Sequence, residues 1–522
     1  MSTTIHPRAA QPATGGASTA TGTPARAGAR EWVALGVLLL PVLLVAVDAT
    51  VLSFALPAIS EALSPTGTQL LWMIDIYSLV LAGLLVSMGS FADRVGRRRL
   101  LLIGSIGFAA VSVIAAYAPS AEALIAARAA LGFFGAMLMP STLSLLRNIF
   151  VDRQQRRLAV AIWAAGFSGG AALGPIVGGF LLEHYWWGSA FLMAVPVLVV
   201  LLVLAPIFLP ESRDPNPGPV DPASIGLSLL AMAPIVYAIK SVAHDGLTLT
   251  AMALLAVGFG AGTAFVRRQL HRPQPMLDVR LFSRSAFSGA VLANLLSVFS
   301  LVGFLFFISQ HLQLVLGESP MQAGLILLPG LVVTVIAGLA AVPLVRRVSP
   351  RAVVAGGLLI SAAGYGAVLL GAVGGSAMAL MAAFALLSLG IGAAETISND
   401  VIISSAPAPK AGAASAISET AYELGAVLGT AVLGGILTAA YTARVIVPVG
   451  VTAVDTRTAT ETLGGATAVA ATLPQPQAAQ LLASARGAFG AGVGVTSVIA
   501  MVLMVAAAGL VWATLRGKGA ES

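Results

Sequence analysis

Five ionisable side chains lie inside long apolar runs: Asp48, Asp75 and Arg128 in the first third of the chain, Glu419 and Glu423 towards its end. A charge at membrane depth costs about 2.5 to 3.5 kcal/mol even on the gentler insertion scale, so such residues carry a proton, pair a cation or hold another charge. At about 1.5 Å per helical residue, Asp48 is roughly 24 Å from the start of its run, and Asp75 and Arg128 are roughly 10 Å from the far ends of theirs. One level is therefore expected for all three, and with it an Asp48, Asp75 and Arg128 cluster. Glu419 and Glu423 fall about 12 and 18 Å into their run, one turn apart on one helix face. Two carboxylates so close in a low dielectric do not both ionise, which suits proton exchange near neutrality. The plainer alternative, that these acids only hydrogen-bond neighbouring helices, stays open.

The elements that must hold these groups are membrane helices. The chain has 522 residues, of which 58% are hydrophobic and 9% charged, with a mean hydropathy of +0.95. A soluble domain carries about 25% charge. A polytopic all-α membrane protein is expected. The net charge of +7 sits in short loops between apolar runs, a topology signal and not a nucleic-acid surface. Cysteine is absent and the five histidines show no ligand spacing, so disulfides, thiolate catalysis and metal sites are not expected. No cofactor is expected, nor any nucleophile cluster of an enzyme.

Apolar runs bounded by charge or turn residues give fourteen spans, about 32 to 59, 68 to 88, 98 to 118, 122 to 146, 157 to 182, 188 to 209, 222 to 241, 247 to 266, 285 to 309, 321 to 345, 351 to 373, 376 to 397, 411 to 440 and 487 to 515. With both termini inside, the inner segments hold 23 Lys and Arg, against Lys240, Arg444, Arg457 and Arg486 outside. That asymmetry sets both ends on the cytoplasmic side. The expected organisation is a disordered cytoplasmic tail over 1–31, with no cleavable signal, and a six-helix bundle over 32–209. A linker with two extra helices follows over 210–284, then a second six-helix bundle over 285–515 with a long extracytoplasmic loop at 441–486, and a tail over 516–522. The stretch around Arg346, Arg347 and Arg351 faintly repeats the basic loop at 89–101, as a duplicated half would.

Between spans two and three lies a basic island, Gly89-Ser-Phe-Ala-Asp93-Arg94-Val-Gly96-Arg97-Arg98-Arg99. Its glycines permit close approach and positive φ, its arginines favour the cytoplasm, and Asp93 is placed to cap a helix start or face one. Span five carries Gly166, Gly169, Gly170, Gly174-Pro175 and Gly178-Gly179, a small-residue face for tight packing with a proline that favours a kink. Phe54, Trp72, Tyr77, Trp163 and Tyr422 are candidate walls of a cation-favouring cavity.

The island resembles the signature loop between spans two and three of the major facilitator superfamily. Asp48-Ala-Thr50 with Ala55-Leu-Pro57, Arg128 with Gly132 and Pro140, the span-five glycines and Ala414 to Gly429 resemble its fourteen-span drug:proton antiporter family. Trp72-Met-Ile-Asp75-Ile-Tyr77 and Trp187-Gly-Ser-Ala-Phe191 are similar to the quaternary-ammonium and methyl-viologen exporters. The resemblance implies a major facilitator fold of two six-helix bundles plus two extra helices, and a proton-coupled antiporter exporting lipophilic, often cationic compounds from a bacterial inner membrane. Such a transporter is expected to be monomeric, with protons, small-molecule substrates and the bilayer as its partners and no nucleic acid. It implies that Gly89, Asp93, Arg94, Gly96, Arg97 and Arg98 form a conformational latch, with Asp93 facing the start of span thirteen. Gly170, Gly174, Pro175, Gly178 and Gly179 would mark an antiporter, and Asp48, Asp75, Arg128, Glu419 and Glu423 would couple protons and cations. Some relatives carry a further acid in span ten; residues 321 to 345 hold none, which counts against divalent substrates. The alternative is a dedicated exporter of one endogenous metabolite or antibiotic.

Overall fold

The computed structural model describes residues 26–213, 221–273, 275–374, 376–406 and 411–515. Of the tails expected over 1–31 and 516–522, residues 1–25 and 516–522 lie outside the described residues. Fourteen helices among those described are long and apolar enough to cross a membrane. The first six are α1 (Ala29–Leu63), α2 (Gly67–Val95), α3 (Arg97–Ala116), α4 (Ala121–Ile149), α5 (Arg153–His184) and α6 (Ser189–Phe208). Two more, α7 (Pro222–Asp245) and α8 (Leu249–His271), form a hairpin. The second set begins with α9 (Ser285–Gln310, extended by a π-turn His311–Val315), α10 (Pro320–Leu344), α11 (Pro350–Gly374) and α12 (Ala377–Ser405). The next span, α13, runs Ala411–Gly429, passes through a π-turn at Thr430–Gly434 and resumes as Gly435–Thr442. Short helices α14 (Ala453–Glu461) and α15 (Leu463–Thr472) then lead into the 40-residue α16 (Gln475–Thr514).

Local chemistry fixes the helix starts. Thr66 and Gln69 form a reciprocal capping box before α2, and Asp152 accepts the Gln154 and Gln155 amides before α5. In the first half, α1 packs on α5 and α2 on α4; in the second, α10 and α11 pack on α12, and α9 on α13. Each half has its own apolar core. The halves meet where α5 lies along α10, α2 along α13 and α1 along α9.

The basic island becomes the sharp α2–α3 corner, with Gly96 at φ +118°. Asp93 pairs with Arg97 one turn on, at 2.8 Å. It does not cap α3. That role belongs to Glu211, beyond α6, whose carboxylate accepts the Arg98 and Arg99 amides at 3.2 Å each and occupies the space a Cβ at Gly96 would need. A carboxylate on a helix N-terminus and two backbone donors contributes about 1 kcal/mol. Glu211→Gln should therefore lower thermal stability by about that much in melts of purified protein, and Glu211→Asp should fall between; an unchanged melt would remove Glu211 from the corner.

The inserted hairpin is not a bystander. Its α7 packs on both α2 and the π-turn of α13, closing one seam between the halves. At the end of the bundle that holds the basic island, hereafter the basic end, Asp221 accepts Arg268 at 3.0 and 2.8 Å and Arg272 at 3.3 Å. The Arg268 guanidinium, through those hydrogen bonds, holds the Asp221 carboxyl well below the usual carboxylate range. At the opposite, distal end, residues 441–486 fold over the α1–α2 turn: the Gly67 amide donates to Glu461 at 3.1 Å, and Tyr441 donates to the Ala459 carbonyl at 2.7 Å. Residues 441–486 thus form a cap that ties the second half to the first.

Candidate functional site

Three neighbouring spaces, which share lining residues, are arranged inward from the basic end between the halves. The first, of about 360 Å³, is lined by Asp93, Arg147, Trp163, Ser415 and Glu419. The second, of about 280 Å³, shares Trp163 and Glu419 and adds Asn294, Glu395, Asn399 and Tyr422. The third, of about 60 Å³, lies deeper, behind Phe167 and Tyr422, and is lined by Tyr77, Arg128, Glu423 and Asp75 among others. Sites for drug-sized ligands run from about 300 to 1,000 Å³. The outer two spaces have that size in combination. The third has room for a water or two at about 30 Å³ each, and for a proton path, not for an organic molecule.

Carboxylates are graded along this route. Glu419 opens into the two larger spaces, whereas Glu423, one turn deeper on α13, faces the small one beside Ser78. The rings of Phe167 from α5 and Tyr422 from α13 meet edge-on at 5.6 Å across the halves and divide the two compartments. Glu395 lines the second space; the expected span twelve ends at 397, but α12 continues to Ser405, which sets Glu395 about 15 Å inside the helix end. Neutral polar groups are bound into the wall: Ser418 donates to Asn399 at 2.9 Å, and Asn294 donates to Ser418 at 3.2 Å.

Asp48 and Arg128 pair as expected, at 2.7 Å, and are 6% and 2% exposed. Arg128 also donates to the Met73 carbonyl at 3.0 Å and lies 4.5 Å above the Tyr77 ring. Asp75 is the exception. It pairs not with Arg128 but with Lys240 of the inserted hairpin, at 2.9 Å, with both side chains buried. Lys240 was counted on the outer side, at the end of the span expected over 222 to 241; α7 runs on to Asp245, so the lysine lies more than a turn inside the helix.

Of the candidate cavity aromatics, Tyr77, Trp163 and Tyr422 line the three spaces. Phe54 does not: it is 1% exposed in the second half's core, with its carbonyl held by Gln313 at 3.2 Å. Trp72 is turned away to Lys240 and Tyr237. The span-five glycines pack the first half and then the seam. Gly170, Gly174 and Gly178 let α1 approach, a Cβ at Gly170 or Gly178 lying 2.8 and 2.6 Å from Ala46 and Val51, and one at Gly174 meeting Thr50. Gly179 faces the Met321 backbone of α10, and Gly324 of α10 faces the Pro175 carbonyl. This contact closes the distal side while the basic end stays open. Asp93 lines the mouth of the first space together with Ser415 and Ala416 of α13.

No group of three or more His, Asp or Glu able to hold a metal occurs among the described residues.

Known proteins place this architecture. The chain is 59% identical over 497 residues to the multidrug efflux pump LfrA of Mycolicibacterium smegmatis, covering 95% of this chain and 99% of that protein. It is 37% identical to the methyl viologen resistance protein SmvA of Salmonella typhimurium, over 91% and 97% of the two chains. Among solved structures, a bacterial homologue of the human lysosomal transporter Spinster, captured inward-facing and unoccupied, superposes with a TM-score of 0.66 at 18% identity over 94% of this chain and 97% of that one, a likeness of fold. Residues 38–430 match the sequence profile of the Major Facilitator Superfamily. On these grounds the chain belongs to the Major Facilitator Superfamily and is a multi-pass membrane transporter, not an enzyme.

Proposed function

We propose that this protein is a proton-driven exporter of lipophilic, often cationic compounds, quaternary ammonium ions among them, working as a monomer in the inner (cytoplasmic) membrane. The basic end and both termini face the cytoplasm. The observation that carries this reading is the graded carboxylate route: Glu419 in a space of substrate size, Glu423 behind the Phe167 and Tyr422 rings in a space of water size. Cargo and proton then compete for the same helix face. A cation entering from the cytoplasm meets Glu419 in its ionised form. Rocking of the halves exposes it to the outside, protonation of the carboxylates releases it, and deprotonation towards the cytoplasm resets the site. Relatives named for multidrug efflux and for methyl viologen resistance support the substrate class. The Asp48 and Arg128 pair serves as the fixed charge against which the deeper proton site is read, and Asp93 with Arg94, Arg97 and Arg98 as the latch on the cytoplasmic side.

Purified protein in inside-out vesicles, under an imposed pH gradient, should release protons when ethidium, tetraphenylphosphonium or benzalkonium is added. Glu419→Gln should cut that drug-dependent exchange by about tenfold or more, the size of a typical coupling energy. Unchanged exchange in Glu419→Gln and Asp48→Asn together would overturn the mechanism. Response to a single compound from a broad panel would favour a dedicated metabolite exporter.

A further inference from the structure

Lys240 fills a site built the way proteins build sites for organic cations. Its ammonium stands 2.9 Å from the Asp75 carboxylate and 3.9 Å from the centroid of the Trp72 ring, with Tyr237 packed 6.1 Å from Trp72. A carboxylate and an aromatic face converging on one positive charge are the groups that recognise alkylammonium ions. Tyr237 is 46% exposed, so this cluster lies near the periphery of the bundle.

As a structural staple the pair is poor. Beyond the 2.9 Å contact between them, the ammonium rests on the Trp72 face and the Asp75 carboxylate is left with Thr430 as its hydrogen-bond partner among the described residues. A buried ion pair recovers its desolvation cost only when its remaining protons and lone pairs are satisfied. The Asp48 and Arg128 pair meets that condition, with direct hydrogen bonds to the acid and to the Met73 carbonyl. The location is also a moving part. Asp75 lies on α2 in the first half, Lys240 on the inserted α7, and the π-turn Thr430–Gly434 of the second half packs against both. Such π-turns recur at functional positions.

We propose that Lys240 is a tethered competitor: it occupies the Asp75 and Trp72 cation site, and so determines which cationic substrates gain the use of Asp75. This rests on the reading of Asp75 as a cation-handling acid of an exporter. With the lysine in place the site is neutral overall and excludes a second monovalent cation. With the lysine withdrawn or replaced, one negative charge faces an aromatic wall. Lys240 is thereby a specificity-determining residue on the hairpin that distinguishes this chain from a twelve-helix transporter.

The test compares wild type, Lys240→Gln, which keeps a hydrogen-bond donor on Asp75, and Lys240→Gln with Asp75→Asn, reconstituted in proteoliposomes. Half-saturating concentrations of ethidium and tetraphenylphosphonium for proton release are expected to fall on the order of tenfold in Lys240→Gln. The gain should vanish in the double variant. No gain, or a gain that survives loss of Asp75, overturns the proposal. Wild-type proton release in the same assay reports the exporter reading separately. Should wild type release no protons, thermal melts of Lys240→Ala decide the site alone. Stabilisation by millimolar n-butylammonium chloride that is absent with n-butanol, and absent when Asp75→Asn is added, supports it; no stabilisation overturns it.

Discussion

Arg128→Met is expected to cost the folded protein about 3 to 5 kcal/mol, the size of the penalty for stranding a buried carboxylate, and to abolish export. Asp48 is buried and takes its charge partner from Arg128 alone among the described residues. Methionine keeps much of the arginine stem's volume, so the loss reports charge and hydrogen bonding, not a cavity. Adding Asp48→Asn should restore most of the melting temperature, because a neutral amide no longer demands a cation. It should not restore drug-dependent proton exchange. That separation distinguishes a pair needed for coupling from one needed only to fold, and thermal melts with vesicle assays on the four proteins of the cycle measure it. If Arg128→Met melted like wild type, the pair would be solvated and the deeper compartment would not be the low-dielectric site described here.

The second large effect concerns the distal seam. A Cβ at Gly324 of α10 runs into the Pro175 carbonyl of α5, and this is a contact between halves. Gly324→Ala should therefore penalise the conformation that is open at the basic end, by about 1 to 3 kcal/mol, and not the fold of either half. The population would move by roughly 5- to 150-fold towards the opposite state. Because the natural chain holds no cysteine, Ser415→Cys at the mouth of the first space gives a single reporter thiol. Its maleimide labelling rate should drop by up to that factor in Gly324→Ala, export should fall with it, and the melting temperature should barely change. Gly392→Ala is the counterpart: its Cβ meets the Thr334 backbone within the second half, so it should lower the melting temperature and leave labelling of folded protein near wild type. Equal labelling in Gly324→Ala would mean that the seam tolerates a methyl and does not gate.

Much of this could be read from residue order because the membrane imposes strict rules. A span needs about 20 apolar residues with every backbone group paired internally, so fourteen runs mark fourteen helices. Charge inside such a run is too costly to be incidental, so Asp48, Asp75, Arg128, Glu419 and Glu423 stood out without any coordinates. Depth counting set Asp48, Asp75 and Arg128 at one level because rise per residue is fixed in a helix; Asp48 and Arg128 do meet, whereas Asp75 turns to Lys240.

What the order of residues could not decide is which helix faces which, and how far each helix runs. Lys240 passed for an outer-side residue at the very end of its span because polar neighbours blur a helix end, and α7 outlasts its apolar run by several residues. Its partner could not be inferred either, because the inserted hairpin has no counterpart in the repeated halves from which to place it. The depth of Glu395 was blurred in the same way, because α12 extends to Ser405 past the span expected to end at 397. Glu211, which caps the α2–α3 corner from more than a hundred residues away, and Phe54, which packs into the core and not the cavity, depend on contacts between distant segments. Sequence alone determined the membrane spans, the buried charges and the family resemblance, because these follow from solvation cost and helical rise. The division of the acids into a substrate-sized space, a water-sized space and a lysine-filled pocket belongs to the tertiary structure, because only packing decides which carboxylate a neighbouring helix leaves free.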